Sequence, residues 1–155
     1  MNKHFVLVIN SLDYYQRFGA TSADQSYIFN NSNIPSGKYR CRFSYRSGQD
    51  ALATYNSWAL IGLRTGSFVS TYSVGATGGL QASSIIGLTQ QIQNPAGTAS
   101  YYYAGCNDNV PFYMNYNPSS EIRITLYLAG NLGTLFTGTS HYVLMIEMER
   151  LDNDE

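Results

Sequence analysis

The stretch EIRITLYL, residues 121–128, places Ile122, Ile124, Leu126 and Leu128 on one side of an extended chain. Glu121, Arg123, Thr125 and Tyr127 fall on the other. Side chains alternate faces along a strand but recur every 3.6 residues along a helix, so this spelling is a half-buried strand. HYVLMIEME, 141–149, repeats it, with Tyr142, Leu144, Ile146 and Met148 against Val143, Met145, Glu147 and Glu149. GKYRCRFSYRSG, 37–48, does so again, with Tyr39, Cys41, Phe43 and Tyr45 facing inward. Further strands are read in FVLVI (5–9), SYIF (26–29), WALIGL (58–63), SFVSTYSV (67–74), a stretch near 80–88, SYYYA (100–104) and PFYMNY (111–116). NNSNIPSG, GATGG, NPAG, CNDN and NPSS are turns between them. AGNLGTLFTGTS, 129–140, reads as a loop, and the one helical candidate is a turn or two around SGQDALATY, 47–55.

Roughly eight to ten short strands with little or no helix predict an all-β, two-sheet antiparallel sandwich of jelly-roll type. The 155 residues are enough for one core and too few for two ordinary ones. The expectation is a single jelly-roll domain over 1–155, with 1–24 as an N-terminal strand or an arm reaching a neighbour.

Charged residues are only 12% of the chain and the net charge is −1, which gives no general pull toward nucleic acid or an anionic membrane. Fourteen tyrosines and fourteen glycines, with Ser, Thr and Asn, occupy the places that Lys and Glu usually take. A polar, charge-poor surface of this kind suits burial against neighbours. A secreted β-domain is the other class that spells this way. Cys41 and Cys106 are too few for a disulfide framework. Cys41 lies on the aromatic side of its strand and reads as a buried free thiol, with one bridge between the two left open. The apolar run Phe5 to Ile9 is too short for a signal segment or a membrane span, and nothing later is long enough either. A reducing compartment and no membrane insertion are therefore expected, and the N-x-S acceptor at Asn30 matters only on secretion.

Catalytic chemistry finds no foothold. His4, His141, Cys41 and Cys106 are scattered, without the short spacings of a metal site. The serines lack a G-x-S-x-G elbow, and only the two histidines could act as base. Asp13, Asp24, Asp50, Asp108 and Glu121 are far apart in sequence, so no carboxylate pair is invited. GATGGL lacks the strand-to-helix context of a phosphate cradle, and CNDN supplies one carboxylate where a calcium loop needs several. No catalytic, cofactor-binding or metal-binding residue is assigned.

Lys38, Arg40, Arg42 and Arg46 are four of the nine basic residues, aligned on one side of one strand. They could read nucleic acid, but Glu147, Glu149, Asp152, Asp154 and Glu155 gather at the end of the chain. If the strand holding the arginines neighbours the last strand, Arg40 and Arg42 fall opposite or diagonal to Glu147 and Glu149. The basic stripe is then half of an internal charge ladder that fixes register, with Arg46 left for a partner. Val6 and Val8 make the first strand apolar on both faces, so a loop or a neighbouring subunit should cover them. Tyr101, Tyr102 and Tyr103 cannot all face the core; an edge-strand ring, an interface anchor and a sugar platform are the three readings.

SYIFNNSNIPSGKYRCRFSYRS, SSIIGLTQ and SYYYAGCNDNVPFYMNYNPSSEIRITLYLAGNLGTLFTGTSHYVLMIEMERL follow one another between residues 25 and 151. The order is an aromatic strand, a P-x-G-K-Y strand entry, a Y-x-x-x-x-N-D-N-x-P-x-Y turn, an N-x-G-T-L-F-T loop and a final Y-V-L strand. In this it resembles the small jelly-roll capsid-associated proteins, of minor capsid type, of large icosahedral DNA viruses and virophages. The resembling motifs belong to strands and turns. They imply a non-enzymatic virion component, a minor capsid or capsid-decorating protein without cofactor, assembled in the host cytoplasm. Its implied partners are other capsid proteins and itself, and fold-level analogy puts a trimer ahead of other oligomers. A glycan- or receptor-binding β-sandwich displayed on a virion surface or fibre is the alternative, and nucleic acid is set aside.

Overall fold

A computed structural model describes residues 3–30, 32–47, 59–65, 84–93, 101–106, 111–128, 131–135 and 141–151. They form β1 (His4–Asn10), β2 (Gln16–Arg17), β3 (Asp24–Tyr27), β4 (Gly37–Ser47), β5 (Ala59–Thr65), β6 (Ser84–Gln93), β7 (Tyr101–Cys106), β8 (Phe112–Tyr116), β9 (Ile122–Leu128), β10 (Asn131–Leu135) and β11 (Tyr142–Arg150). No helix occurs among the described residues, and every pairing is antiparallel. The expected strand at 67–74 and most of the helical candidate at 47–55 lie outside them.

Two sheets make an all-β sandwich. Sheet A runs β1-β11-β4, then β8 beside the first half of β4 and β7 beside the second. Sheet B runs β5-β9-β3-β2, with β10 also on β9. The strand β6 joins them: its first half pairs with β5 and its second, from Gln90 to Gln93, with β7. Gly87 and Gly105 make this crossing fit. A Cβ on Gly87 would collide with the Phe43 ring, and one on Gly105 with the backbone carbonyl of Leu88.

The core lies where the sheets face each other. Tyr39, Cys41, Phe43 and Tyr45 from β4, Tyr142, Leu144, Ile146 and Met148 from β11, and Ile122, Ile124 and Leu126 from β9 are all buried in one cluster. Each such side chain contributes about 1.5–3 kcal/mol by leaving water, so alternation alone sets which face turns inward.

Three differences from the sequence reading stand out. β3 starts at Asp24 rather than Ser26, because its carboxylate grips Arg123 of β9 through two hydrogen bonds of 2.7 Å each. The outer side of β9 is partly covered as well: Thr125 is buried, and the Arg123 guanidinium lies 3.9 Å from the Phe18 ring centroid. The 129–140 loop contains a strand, β10, which pairs irregularly with Tyr127 and Leu128. The strand read at 5–9 is present: residues 4–10 join the chain's own sheet A, with Leu7 opposite Ile146.

Between the sheets sits a tyrosine cluster. Tyr27 donates to Gln25 Oε1 at 2.9 Å, its hydroxyl lies 3.2 Å from that of Tyr142, and Tyr142 stacks on Tyr45. Burial pushes the Tyr27 phenol up to about 12 and raises Tyr142 well above its ordinary value. Both groups fold as neutral phenols, while in the unfolded chain they ionise near pH 10. Their contribution is therefore intact below about pH 10 and is lost as the pH rises from there through about 12. Urea titrations from pH 9 to 12 should show the folding equilibrium constant falling by well over tenfold, and a shallower fall for Tyr27→Phe. Parallel curves would contradict this.

Candidate functional site on the outer face of sheet A

The alternation that buries one face of β1, β11 and β4 must present the other. On β1 it presents His4, Val6 and Val8, on β11 Met145, Glu147 and Glu149, and on β4 Arg42, Ser44 and Arg46, all exposed. Register turns these columns into rows. Phe5 pairs with Met148 on the inner side, so Val6, Glu147 and Arg42 form one outer row, and His4, Glu149 and Arg40 the next. Val8, Met145 and Ser44 form a third, apolar at its β1 end.

The four ladder residues are thus brought together, each arginine directly opposite a glutamate. Arg40 and Glu149 approach to 3.9 Å with both side chains over two-fifths exposed. An exposed pair at that distance contributes at most about 1 kcal/mol and mainly favours this register over its neighbours. Over the ladder lies an open depression of about 550 Å³, lined by His4, Val6, Arg40, Arg42, Glu147 and Glu149, among others.

Val6 and Val8 are 51% and 56% exposed, and Met145 is 43% exposed. Tyr113, on β8 beside Arg40, adds an exposed ring. The alternation of β8 marks Tyr113 as outward, so the sequence held this signal, although the tyrosine run at 101–103 drew the reading instead. Leu12, Tyr14 and Tyr15, beyond the end of β1, are likewise exposed and were missed because no period marks a loop.

The tyrosine run divides. Tyr103, a candidate interface residue, is 2% exposed with its ring in the core, so it is corrected to a structural role. Its neighbour Tyr102 is half-buried beneath Arg46, whose guanidinium sits 4.9 Å from the ring centroid. Arg46, expected to wait for a partner, thus already has an aromatic contact. The Tyr101 side chain lies outside the described residues.

Neither Cys41 nor Cys106 is in a disulfide. Cys41 is buried and its thiol is pushed up to about 12 by desolvation, whereas Cys106 is exposed at the end of β7. Only a thiolate reacts readily. Native protein should therefore take up one equivalent of a thiol reagent at pH 8, at Cys106, and a second only on unfolding. Fast labelling of Cys41, mapped by peptide mass, would contradict the packing.

Among the described residues no group of three or more His, Cys, Asp or Glu gathers to hold a metal. Nor do the described residues form a helix long and apolar enough to cross a membrane. Comparison with protein-family models, curated proteins and solved structures found no match to this chain.

Proposed function

We propose that the protein is a non-enzymatic structural component of a virion, a jelly-roll minor capsid or capsid-decorating protein that works by packing. The observation that carries this is the outer face of sheet A, where Val6, Val8 and Met145 stand exposed beside a ladder of alternating charge. A lone sandwich gains nothing by wetting such a stripe, whereas a neighbouring coat subunit gains by covering it. The charges then act in orientation, since a misaligned partner would set like charges together. The resemblance over residues 25–151 supplies the virion context, and it is to strand and turn motifs rather than to a catalytic constellation. Homo-oligomers, trimers among them, and contacts with other capsid proteins follow from this reading.

The exposed rings of Tyr14, Tyr15 and Tyr113 favour a second reading, a glycan- or receptor-binding module on the virion surface. Quantitative mass spectrometry of purified particles tests the first directly. The protein should be present at a fixed ratio to the major coat protein and should survive a high-salt wash. Its absence from particles would overturn the proposal. Wild-type glycan binding that disappears in Tyr14→Ala and Tyr15→Ala variants would instead support the second.

A further inference from the structure

β1 is the last strand of sheet A. Among the described residues it pairs with β11 on one side and with nothing on the other. Edges of this kind are usually blunted by lysine, proline, a bulge or extreme shortness. None of these devices occurs in the seven residues HFVLVIN.

The direction of the backbone groups along β1 follows from two hydrogen bonds that flank the strand. Arg150 N–H donates to the Lys3 carbonyl, and Ser11 N–H donates to the Tyr142 carbonyl. Lys3 and Ser11 therefore face β11 in hydrogen-bonded positions. Such positions alternate in an antiparallel ladder, so Phe5, Leu7 and Ile9 also turn their N–H and C=O toward β11. His4, Val6, Val8 and Asn10 turn theirs toward the open edge.

The sequence of β1 reads nearly the same in both directions about Leu7. Val6 mirrors Val8, Phe5 mirrors Ile9, and the polar His4 mirrors the polar Asn10. An antiparallel copy centred there sets Val6 against the partner's Val8, Phe5 against the partner's Ile9, and Leu7 against its own counterpart. Val6 and Val8 then exchange N–H···O=C bonds with the partner's Val8 and Val6, and each Asn10 N–H reaches the partner's His4 carbonyl, giving about six new hydrogen bonds. Valine meets valine on the outer face, and on the inner face the two cores join. No two like charges meet along the seam. At each end the partner's Lys3 and His4 are carried toward a cleft of about 260 Å³ whose lining includes Asn10, Asp13, Tyr14 and Tyr15, so a basic segment approaches a carboxylate.

We propose that two copies of this chain join edge to edge through β1, antiparallel and centred on Leu7, making sheet A continuous across a two-fold axis. This rests on the assembly role above and names the partner at one border of that surface.

Amide exchange read residue by residue on the intact protein, alongside sedimentation equilibrium, tests it. A two-chain species should form as concentration rises, and exchange at Val6, Val8 and Asn10 should then slow at least tenfold. Leu7 and Ile9, already bonded to β11, should change little. Val8→Pro removes an edge-facing N–H without touching β11 and is tolerated at such a position. It should weaken association at least tenfold, while Met145→Lys, on the face rather than the edge, should leave it intact. A wild-type protein monomeric to millimolar concentration overturns the pairing, as does a dimer whose edge amides exchange at the monomer rate. Association lost in Met145→Lys and kept in Val8→Pro also overturns it. If the monomer is still found in purified particles, the edge pairing alone has failed; absence from particles is failure of the structural role.

Discussion

Gly105→Ala is expected to lower stability by at least about 3 kcal/mol, more than the same change at Gly87. The new Cβ would fall inside the contact distance of the Leu88 carbonyl oxygen and 3.1 Å from Thr89 Cα. Both obstacles are backbone, in the part of β6 that changes from β5 to β7 as partner. Rotamer changes cannot relieve a backbone clash, so β6 and β7 must separate and Thr89, wholly buried, must move with them. Replacing glycine by alanine also stiffens the unfolded chain, which favours folding by about 0.4–1 kcal/mol. The clash outweighs this. Urea denaturation should show the loss, and a variant within 1 kcal/mol of wild type would mean that β6 does not cross as described.

Gly87→Ala should cost about 2–3 kcal/mol by a different route, and one that can be reversed. Its Cβ would overlap the Cε1 and Cζ atoms of the Phe43 ring, a side chain rather than backbone. Phe43→Leu alone should cost about 1–2 kcal/mol for the cavity it leaves. Combined with Gly87→Ala it should cost less than the sum, because the methyl enters the space the ring vacates. A favourable coupling of at least about 1 kcal/mol in the double-mutant cycle is the expected result. Additivity would show that the ring and Gly87 do not share this space. Gly105→Ala should show no comparable rescue by Phe43→Leu, and this separates the two glycines.

These glycines also mark the limit of what the sequence discloses. Alternation along one strand is a local property, so the inward faces of β4, β8, β9 and β11 could be read from residues two apart. The pairing of Arg40 and Arg42 with Glu149 and Glu147 could be read as well, because opposite charges on matching phases favour one register. A close approach between β6 and β7 depends on residues far apart in sequence, and a lone Gly87 or Gly105 has the same spelling as any turn glycine. Asp24 posed the same difficulty: only the fold brings it to Arg123, and only that pair explains why β3 begins where it does. Tyr102 and Tyr103 are adjacent and chemically identical, so their different surroundings come from strand phase, which a run of three tyrosines conceals. The edge-facing amides of β1 leave no mark in composition, although the mirror symmetry about Leu7 is visible once the edge is known.

The central claim is that the outer face of sheet A is covered when the protein does its work. Methionine oxidation measures this within one molecule, because Met145 is 43% exposed on that face while Met114 and Met148 are buried in the core. In the free protein mild peroxide should oxidise Met145 first and leave the other two intact. In assembled particles Met145 should oxidise at least fivefold more slowly, approaching the rate of Met114 and Met148. An unchanged Met145 rate in intact particles that contain the protein would contradict the claim.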